Sequence, residues 1–277
     1  MPDTSAAVPT RGIPTPFHPL VVLDMAGTTV SDGGLVERAF ARAAAHLGVE
    51  TGTPEHTAQL AYVRATMGES KISVFRHLYG SEEAARSANS AFEEAYAELV
   101  AGGLVEALPG ARETVERLRE QGRTVVLTTG FSRTTQDALL DALGWRDLVP
   151  LALCPADAGR GRPYPDLVLA ALLRTGAAED VRQVAVAGDT AYDMLSGTRA
   201  GAGVVAGVLT GAHDRERLEA HGATHVLGSV AALPDLLARL ESGTSGTPGG
   251  SDTSGTAERV DGSERAAGSD GAPGTTP

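Results

Sequence analysis

The chain has 277 residues, a formal net charge of −12, and a composition that is 42% hydrophobic and 4% aromatic. This acidic balance, with no basic run, excludes an ordinary nucleic-acid-binding surface, and the single cysteine excludes a disulfide framework or a cysteine-rich zinc site. Because no run approaches the ~20 apolar residues of a membrane span and the N-terminus lacks a signal-peptide core, we expect a cytoplasmic protein without a membrane partner.

The two ends of the chain are predicted to lie outside the folded body. Residues 1–17 contain four prolines and are predicted to form an irregular lead-in. Residues 241–277 consist almost entirely of Gly, Ser, Thr, Pro, Ala and scattered charges. Such a segment cannot bury enough apolar surface to offset the entropy lost on ordering, so we predict a disordered tail.

Short aliphatic runs alternate with amphipathic segments along the body of the chain. The runs are predicted to be strands, at 20–23, 124–127, 151–153, 184–187, 204–208 and 225–227. The amphipathic segments are predicted to be helices, at 111–120, 134–143, 165–173, 192–200 and 214–220. This alternation is typical of an α/β fold with a Rossmann-like parallel sheet, in which ligands bind at the carboxyl ends of the strands.

One interval, residues 35–105, interrupts the alternation. Val36, Phe40, Ala43 and Leu47 recur at helical spacing, and residues 81–99 are typical of a longer helix. We therefore predict an all-helical cap domain at 35–105, inserted into an α/β core formed by 18–34 and 106–240. An insertion after the first strand overhangs the carboxyl ends of the sheet.

Three aspartates follow predicted strands. Asp24 ends the first run and is followed by Gly27, whereas Asp189 ends the fourth run and Asp193 lies one helical turn beyond it. Each alone is consistent with a carboxylate that only caps a helix. Together they form a set of hard oxygen ligands that suits Mg²⁺.

Two further strand ends offer groups that suit a phosphate. Thr128, Thr129 and Gly130 follow the second run and supply a hydroxyl and a backbone N–H. Arg162 precedes a predicted helix and is followed by two prolines, and its guanidinium can bind phosphate through two hydrogen bonds. We therefore expect a small phosphate or phosphonate substrate.

This order of motifs resembles the haloacid dehalogenase superfamily of aspartyl-nucleophile phosphotransferases over residues 18–240. The resemblance implies that Asp24 is the nucleophile and also a magnesium ligand. It implies that Asp189 is a second ligand, supported by Asp193, and that the Ala26 carbonyl is available to the metal. Its phosphate-binding motifs correspond to the residues Gly27, Thr128 or Thr129, Gly130 and Arg162.

The chain departs from the phosphatases of that superfamily at Ala26, because they carry a general acid at this position. Lys71 offers another way to activate a leaving group, and it is the only lysine among 23 basic residues. A lysine amine can form a Schiff base with a carbonyl compound. If the carbonyl is β to phosphorus, the imine allows the C–P bond to break with carbon leaving as an enamine.

The segment from Asp24 to Thr28, Arg162, and Met67 to Lys71 together resemble phosphonatase, the phosphonoacetaldehyde hydrolase family. This resemblance implies imine formation at Lys71, followed by attack of Asp24 on phosphorus. It places Met67, Gly68 and Arg76 on the cap side of the substrate, and it implies a homodimer formed through the cap. Val74 stands where that family has a histidine, which leaves the physiological substrate open.

Three hypotheses follow from these residues. The first is a Mg²⁺-dependent phosphonatase-like hydrolase that uses Lys71 and Asp24. The second is a phosphomonoesterase of the same fold that acts on a small phosphorylated metabolite. The third is a non-catalytic module that binds such a metabolite.

Overall fold

The computed structural model describes residues 17–31 and 33–243. Its six strands are β1 (Leu20–Asp24), β2 (Thr124–Thr128), β3 (Leu151–Leu153), β4 (Val184–Gly188), β5 (Val204–Val208) and β6 (His225–Leu227). They pair in parallel to form one sheet in the order β3-β2-β1-β4-β5-β6. All six strands lie where the aliphatic runs predict them, and the expected parallel sheet is confirmed.

The central strands are buried along their whole length. Every residue of β1, β4 and β5 is buried, which is why these segments consist of Val, Leu, Ala and Gly with few polar residues. Strand β1 pairs with β2 on one side and β4 on the other. Asp24, at the end of β1, therefore emerges in the middle of the carboxyl edge of the sheet.

Eleven α-helices lie within the described residues. They are α1 (Leu35–His46), α2 (Pro54–Ala65), α3 (Lys71–Tyr79), α4 (Glu82–Ala101), α5 (Ala111–Glu120), α6 (Arg133–Leu143), α7 (Pro155–Ala158), α8 (Asp166–Thr175), α9 (Ala191–Ala200), α10 (Arg215–Ala220) and α11 (Leu233–Glu241). Two 3₁₀ turns, Val181–Gln183 and Val230–Ala232, precede β4 and α11. No described helix is long and apolar enough to cross a bilayer.

Helices α1 to α4 form the segment between β1 and α5, and within the described residues this segment contains no strand. Its core is a row of aromatic rings. Phe40 stacks on Phe75 with a centroid separation of 6.0 Å, and Phe75 meets Phe92 at 5.9 Å. The row continues through Tyr96 to Phe131, which follows β2 in the α/β part, with a separation of 4.8 Å. The boundaries of the cap domain, 35–105, remain a prediction.

The C-terminal boundary differs by one residue from the predicted one. Glu241 is the first residue of the predicted tail, 241–277, but it belongs to α11. The Arg123 guanidinium, which is buried, donates a hydrogen bond to the Glu241 carboxylate at 2.9 Å, and this contact holds the last turn of the helix against the sheet. The rest of the predicted tail beyond Gly243 and the predicted lead-in before Phe17 lie outside the described residues.

Candidate active site

Three carboxylates meet at the carboxyl edge of the sheet. Asp24 is the last residue of β1, Asp189 follows β4, and Asp193 lies in the first turn of α9. One oxygen from each lies within 4.8 Å of the others, and none of the three residues is more than 5% exposed. The structure therefore brings together the three aspartates that the sequence singled out.

Arg162 lies among these carboxylates. Its Nη1 is 2.7 Å from Oδ1 of Asp24 and also donates a hydrogen bond to Asp193. Its Nε is buried and has no hydrogen-bond partner among the described residues. Because an unpaired buried N–H is costly, this atom is suited to bind an anionic ligand oxygen.

Hydrogen bonds fix the orientation of the other two carboxylates. The Thr28 hydroxyl donates to Oδ1 of Asp189 at 3.1 Å, and the backbone N–H of Ala212 donates to its Oδ2 at 2.8 Å. The backbone N–H and the hydroxyl of Thr190 both donate to Oδ2 of Asp193. The backbone N–H of Asp193 donates in return to the Thr190 hydroxyl oxygen, which completes a capping box at the start of α9. Both side chains are thus rigidly positioned.

The site carries more negative charge than one guanidinium compensates. Burial raises the pKa of Asp24 well above its ordinary range, and Asp193 and Asp189 raise it further against the opposing effect of Arg162. Burial and the nearby Asp193 raise the pKa of Asp189 to about 7. Three buried carboxylates with hard oxygen donors and a deficit of positive charge fit a divalent cation such as Mg²⁺.

A cavity of about 470 Å³ opens above these residues. The phosphate-binding residues from the sequence that line it are Gly27, Thr129, Gly130 and Arg162, and Ala26 lines it as well. Thr128 does not line it, because it pairs with Asp24 in the sheet and its hydroxyl lies 3.4 Å from the Leu23 carbonyl oxygen. Of the two alternative registers, the structure thus brings Thr129 to the cavity.

Part of the cavity wall comes from the loop that joins α2 to α3 and from the start of α3. Met67, Gly68 and Lys71 line it, as does Glu69. Lys71 is the first residue of α3, and its Nζ lies 5.6 Å from the centroid of the Phe131 ring. The only lysine in the chain therefore lines the same cavity as Asp24.

Arg76 is the one cap residue from the sequence prediction that the structure does not bring to this cavity. Its guanidinium, which is exposed, donates hydrogen bonds of 2.7 and 2.9 Å to the Glu82 carboxylate. Arg76 instead lines a second cavity, of about 460 Å³. The two cavities share the wall residues Glu69, Lys71, Gly130, Phe131 and Arg162.

Sequence reasoning missed three residues that shape the site. Phe131 and Glu69 line the cavity, and the ring nitrogen Nδ1 of His213 accepts a hydrogen bond of 2.8 Å from the N–H of Ala191, the first residue of α9. Phe131 directly follows Thr129 and Gly130, and Glu69 lies between Gly68 and Lys71, so proximity in sequence was an available signal. His213 had none, because the β5–α10 loop carries no motif.

The sequence is similar to known hydrolases. The family model for haloacid dehalogenase-like hydrolases matches residues 18–201. A protein named "Probable phosphatase IndB", from Dickeya dadantii, is 30% identical over 210 residues, which cover 74% of this chain and 86% of the relative. A phosphonoacetaldehyde hydrolase from Bacteroides fragilis is 27% identical over 259 residues, which cover 80% of this chain and 96% of the relative.

Solved structures resemble the fold over most of the chain. A hydrolase from Pseudomonas syringae aligns with a TM-score of 0.69 and 25% identity, covering 79% of this chain and 97% of that protein. A phosphonoacetaldehyde hydrolase-like protein from Oleispira antarctica aligns with a TM-score of 0.70 and 24% identity, covering 84% of this chain and 96% of that protein. At 24% identity, the similarity to the protein from Oleispira antarctica supports the fold and nothing further.

Proposed function

Since the chain belongs to the family of haloacid dehalogenase-like hydrolases, we propose that it cleaves the C–P bond of phosphonoacetaldehyde or a related carbonyl phosphonate. The observation that carries this proposal is the position of Lys71, which lines the same cavity as Asp24 and Arg162. A lysine amine and a carboxylate nucleophile on one cavity suit a substrate with both a carbonyl and a phosphonate group. Similarity to named phosphonoacetaldehyde hydrolases supports the same class.

In the proposed reaction, the Lys71 amine attacks the carbonyl carbon and water leaves, which gives a protonated imine. This imine withdraws electrons from the C–P bond. It supplies the activation that a general acid gives to an ester oxygen, and such an acid is absent here because residue 26 is alanine. The carbon can therefore leave phosphorus as an enamine without a proton being delivered to an alkoxide.

The phosphonate end is bound by the residues at the carboxyl edge of the sheet. Arg162 Nε and the Thr129–Gly130 turn would bind its oxygens, while Asp24 attacks phosphorus and forms an aspartyl phosphate. Water then hydrolyses the enamine and the aspartyl phosphate, giving an aldehyde and phosphate. Attack at about 3 Å requires that the phosphonate lie directly over Asp24.

The buried carboxylates fit a magnesium ion, and we propose that Asp24, Asp189, Asp193 and the Ala26 carbonyl would hold it. When bound, Mg²⁺ offsets the negative charge of the site and polarises the phosphoryl oxygens. Thr28 and Ala212 keep Asp189 oriented for this purpose, since both donate to its carboxylate.

A phosphomonoesterase is the second candidate, because the relative from Dickeya dadantii is named a phosphatase and is 30% identical. In that case Asp24 would attack a phosphate ester and Lys71 would bind the substrate by its charge. The leaving group would have to depart without a side-chain acid at Ala26.

Phosphate release by wild type and Lys71→Arg, with Mg²⁺ present, separates the two candidates. We expect wild type to release phosphate from phosphonoacetaldehyde and Lys71→Arg to lose this activity, since arginine stays protonated and cannot form an imine. Release from simple phosphate esters that survives in Lys71→Arg would favour the phosphomonoesterase. Binding of phosphate without turnover of either class would indicate a non-catalytic module.

A further inference from the structure

A cluster of titratable side chains surrounds Glu69, next to Lys71. Glu69 is half-buried, and the Tyr192 hydroxyl, on α9, lowers the pKa of its carboxyl group. It interacts electrostatically with Lys71 and His77 of α3 and with Tyr62 of α2. His77 stacks on Tyr62 with a centroid separation of 4.1 Å.

The loop that carries Glu69 is seated tightly on the α/β core. Gly68 has a φ of +93°, and a Cβ at this residue would lie 2.4 Å from the Thr190 hydroxyl oxygen. A Cβ at Gly130 would lie 3.0 Å from the carbonyl oxygen of Glu69. These close approaches fix the backbone of Glu69 above the turn that follows β2.

Glu69 and Lys71 flank Ser70, the residue that precedes α3, and both line each of the two cavities. A substrate carbonyl that reaches Lys71 therefore lies beside Glu69 as well. Burial raises the pKa of Glu69 above its ordinary range, while Lys71, His77 and the Tyr192 hydroxyl oppose this shift. The loop thus brings an ionisable carboxyl group to the same cavity wall as Lys71.

We propose that Glu69 is the acid–base residue of imine formation at Lys71, an inference that rests on the proposed C–P hydrolase function. The geometry behind it is the shared wall that Glu69 and Lys71 form in both cavities, on a loop that is seated tightly against the core.

The protons of this step balance with Glu69, Lys71 and the substrate alone. Glu69 takes one proton from the Lys71 ammonium, and the neutral amine adds to the carbonyl carbon. A second proton then moves from the nitrogen to the oxygen, through the Glu69 carboxyl group, and gives a carbinolamine. Glu69 donates the first proton to the carbinolamine hydroxyl, the C–O bond breaks, and water leaves. The products are the protonated imine, water and the Glu69 carboxylate, so no further reactant is needed.

The competing explanation is that Glu69 only fastens the loop to α9 through Tyr192. Glu69→Gln separates the two roles, because the amide keeps the size of the side chain and an acceptor oxygen for a contact with Tyr192, but it no longer transfers a proton. Glu93→Gln is the matched control. Glu93 lies on the wall of the second cavity and accepts a hydrogen bond from Asn89.

The experiment measures the rate at which borohydride traps an adduct on Lys71 with phosphonoacetaldehyde, in proteins shown by thermal unfolding to be folded. We expect Glu69→Gln to trap about 10²-fold more slowly than wild type, as typical of a lost general acid, and Glu93→Gln to match wild type. Acetate should restore part of the rate in Glu69→Ala, which a purely structural role would not produce.

Trapping by Glu69→Gln at the wild-type rate would overturn this inference alone. The absence of any adduct in wild type would overturn the proposed function and this inference with it. Equally slow trapping in Glu69→Gln and Glu93→Gln would also overturn the inference. The slower rate would then follow from the loss of any one negative charge and not from the loss of Glu69 in particular.

Discussion

Arg162 connects the nucleophile to the start of α9. Its guanidinium pairs with Asp24 at 2.7 Å and with Asp193, so one cation orients two carboxylates from different elements. Burial lowers its pKa, but the two carboxylates outweigh burial and raise it, so the group stays charged. The sequence predicted a phosphate-binding role from a guanidinium placed just before a helix and followed by two prolines. It could not predict the ion pairs, since these depend on how loops distant in sequence meet in space.

His213 illustrates a residue whose role only the folded structure reveals. Its Nδ1 accepts a hydrogen bond from the N–H of Ala191, and its Nε2 is buried without a hydrogen-bond partner among the described residues. Protonation of Nδ1 would replace this acceptor with a donor facing another donor. Burial and the charge of Arg217 accordingly lower the pKa of His213 to about 4.

We expect His213 to make the protein less stable in acid. Between pH ~6.5, where an unfolded histidine titrates, and pH 4, the unfolded state binds a proton that the native state does not. The free energy of unfolding should therefore fall as the pH falls, by on the order of 3 kcal/mol from this residue. Urea unfolding of wild type and His213→Asn across this range measures the difference.

In His213→Asn the side-chain oxygen can still accept from Ala191, whereas the titration is removed, so the acid-induced loss should shrink. His46→Asn, at the exposed end of α1, controls for the removal of an imidazole. Equal pH slopes in wild type and His213→Asn would contradict the assignment.

At the scale of elements, the loop between α2 and α3 joins the helical segment to the α/β core. The loop presents Met67, Gly68 and Glu69 to the cavity, and α3 begins at once with Lys71. A second contact holds α2 itself, because the Arg217 guanidinium on α10 donates to the carbonyl oxygen of Ala65 at 2.9 Å. The position of Lys71 thus depends on how closely this loop approaches the core.

Gly68→Ala should impair the site more than it impairs the fold. The new Cβ would meet Thr190, which forces the loop away from α9, and the positive φ adds strain. Gly80→Ala is the matched control, since Gly80 also has a positive φ but a Cβ added there would meet no heavy atom within 4 Å among the described residues. We expect each variant to lose about 1–2 kcal/mol of unfolding free energy from the strain.

Only Gly68→Ala should also slow the formation of the borohydride adduct on Lys71. Unfolding and trapping rates measured on the same preparations separate the two effects. Similar trapping rates in the two variants would show that the loop contact does not position Lys71.

In the helical segment, the sequence predicted some helices but not all of them. Its helical character and the long helix near residues 81–99 are confirmed by α1 and α4. The bounds of α2 were not predicted, although Thr53 accepts a hydrogen bond from the N–H of His56 and Pro54 is the first helical residue, which are ordinary start signals. The buried residues of α2 include the polar His56 and Gln59, so its buried face does not stand out as a pattern of apolar residues. Helix α11 was missed because it lies beside the tail-like composition.

At the scale of the whole molecule, the sequence predicted six parallel strands but not their order. Buried strands of Val, Leu and Ala are nearly interchangeable in composition, so their pattern does not say which pairs with which. The observed order places β1 between β2 and β4, and this brings Asp24, Thr129 and Asp189 to one edge. The motifs were recognisable because they follow strands, whereas their meeting point depends on the topology.

Two chemistries are proposed to meet in one molecule, an imine on the helical segment and a phosphoryl transfer on the sheet. Lys71 is presented by α3, and Asp24 ends β1, yet both line one cavity. If both act on one substrate, removing the nucleophile should leave imine formation intact but prevent cleavage of the C–P bond. The chemical group that is trapped on Lys71 therefore shows whether the C–P bond was cleaved after the imine formed.

The most direct measurement is the mass of the Lys71 adduct after borohydride reduction with phosphonoacetaldehyde, in wild type and Asp24→Asn. We predict an ethyl group on Lys71 in wild type, because the C–P bond breaks before reduction. In Asp24→Asn, we predict a phosphonoethyl group on the same residue, because the imine forms but phosphorus is not attacked. An ethyl group on Lys71 in Asp24→Asn, or no adduct on Lys71 in either protein, would contradict the proposed mechanism.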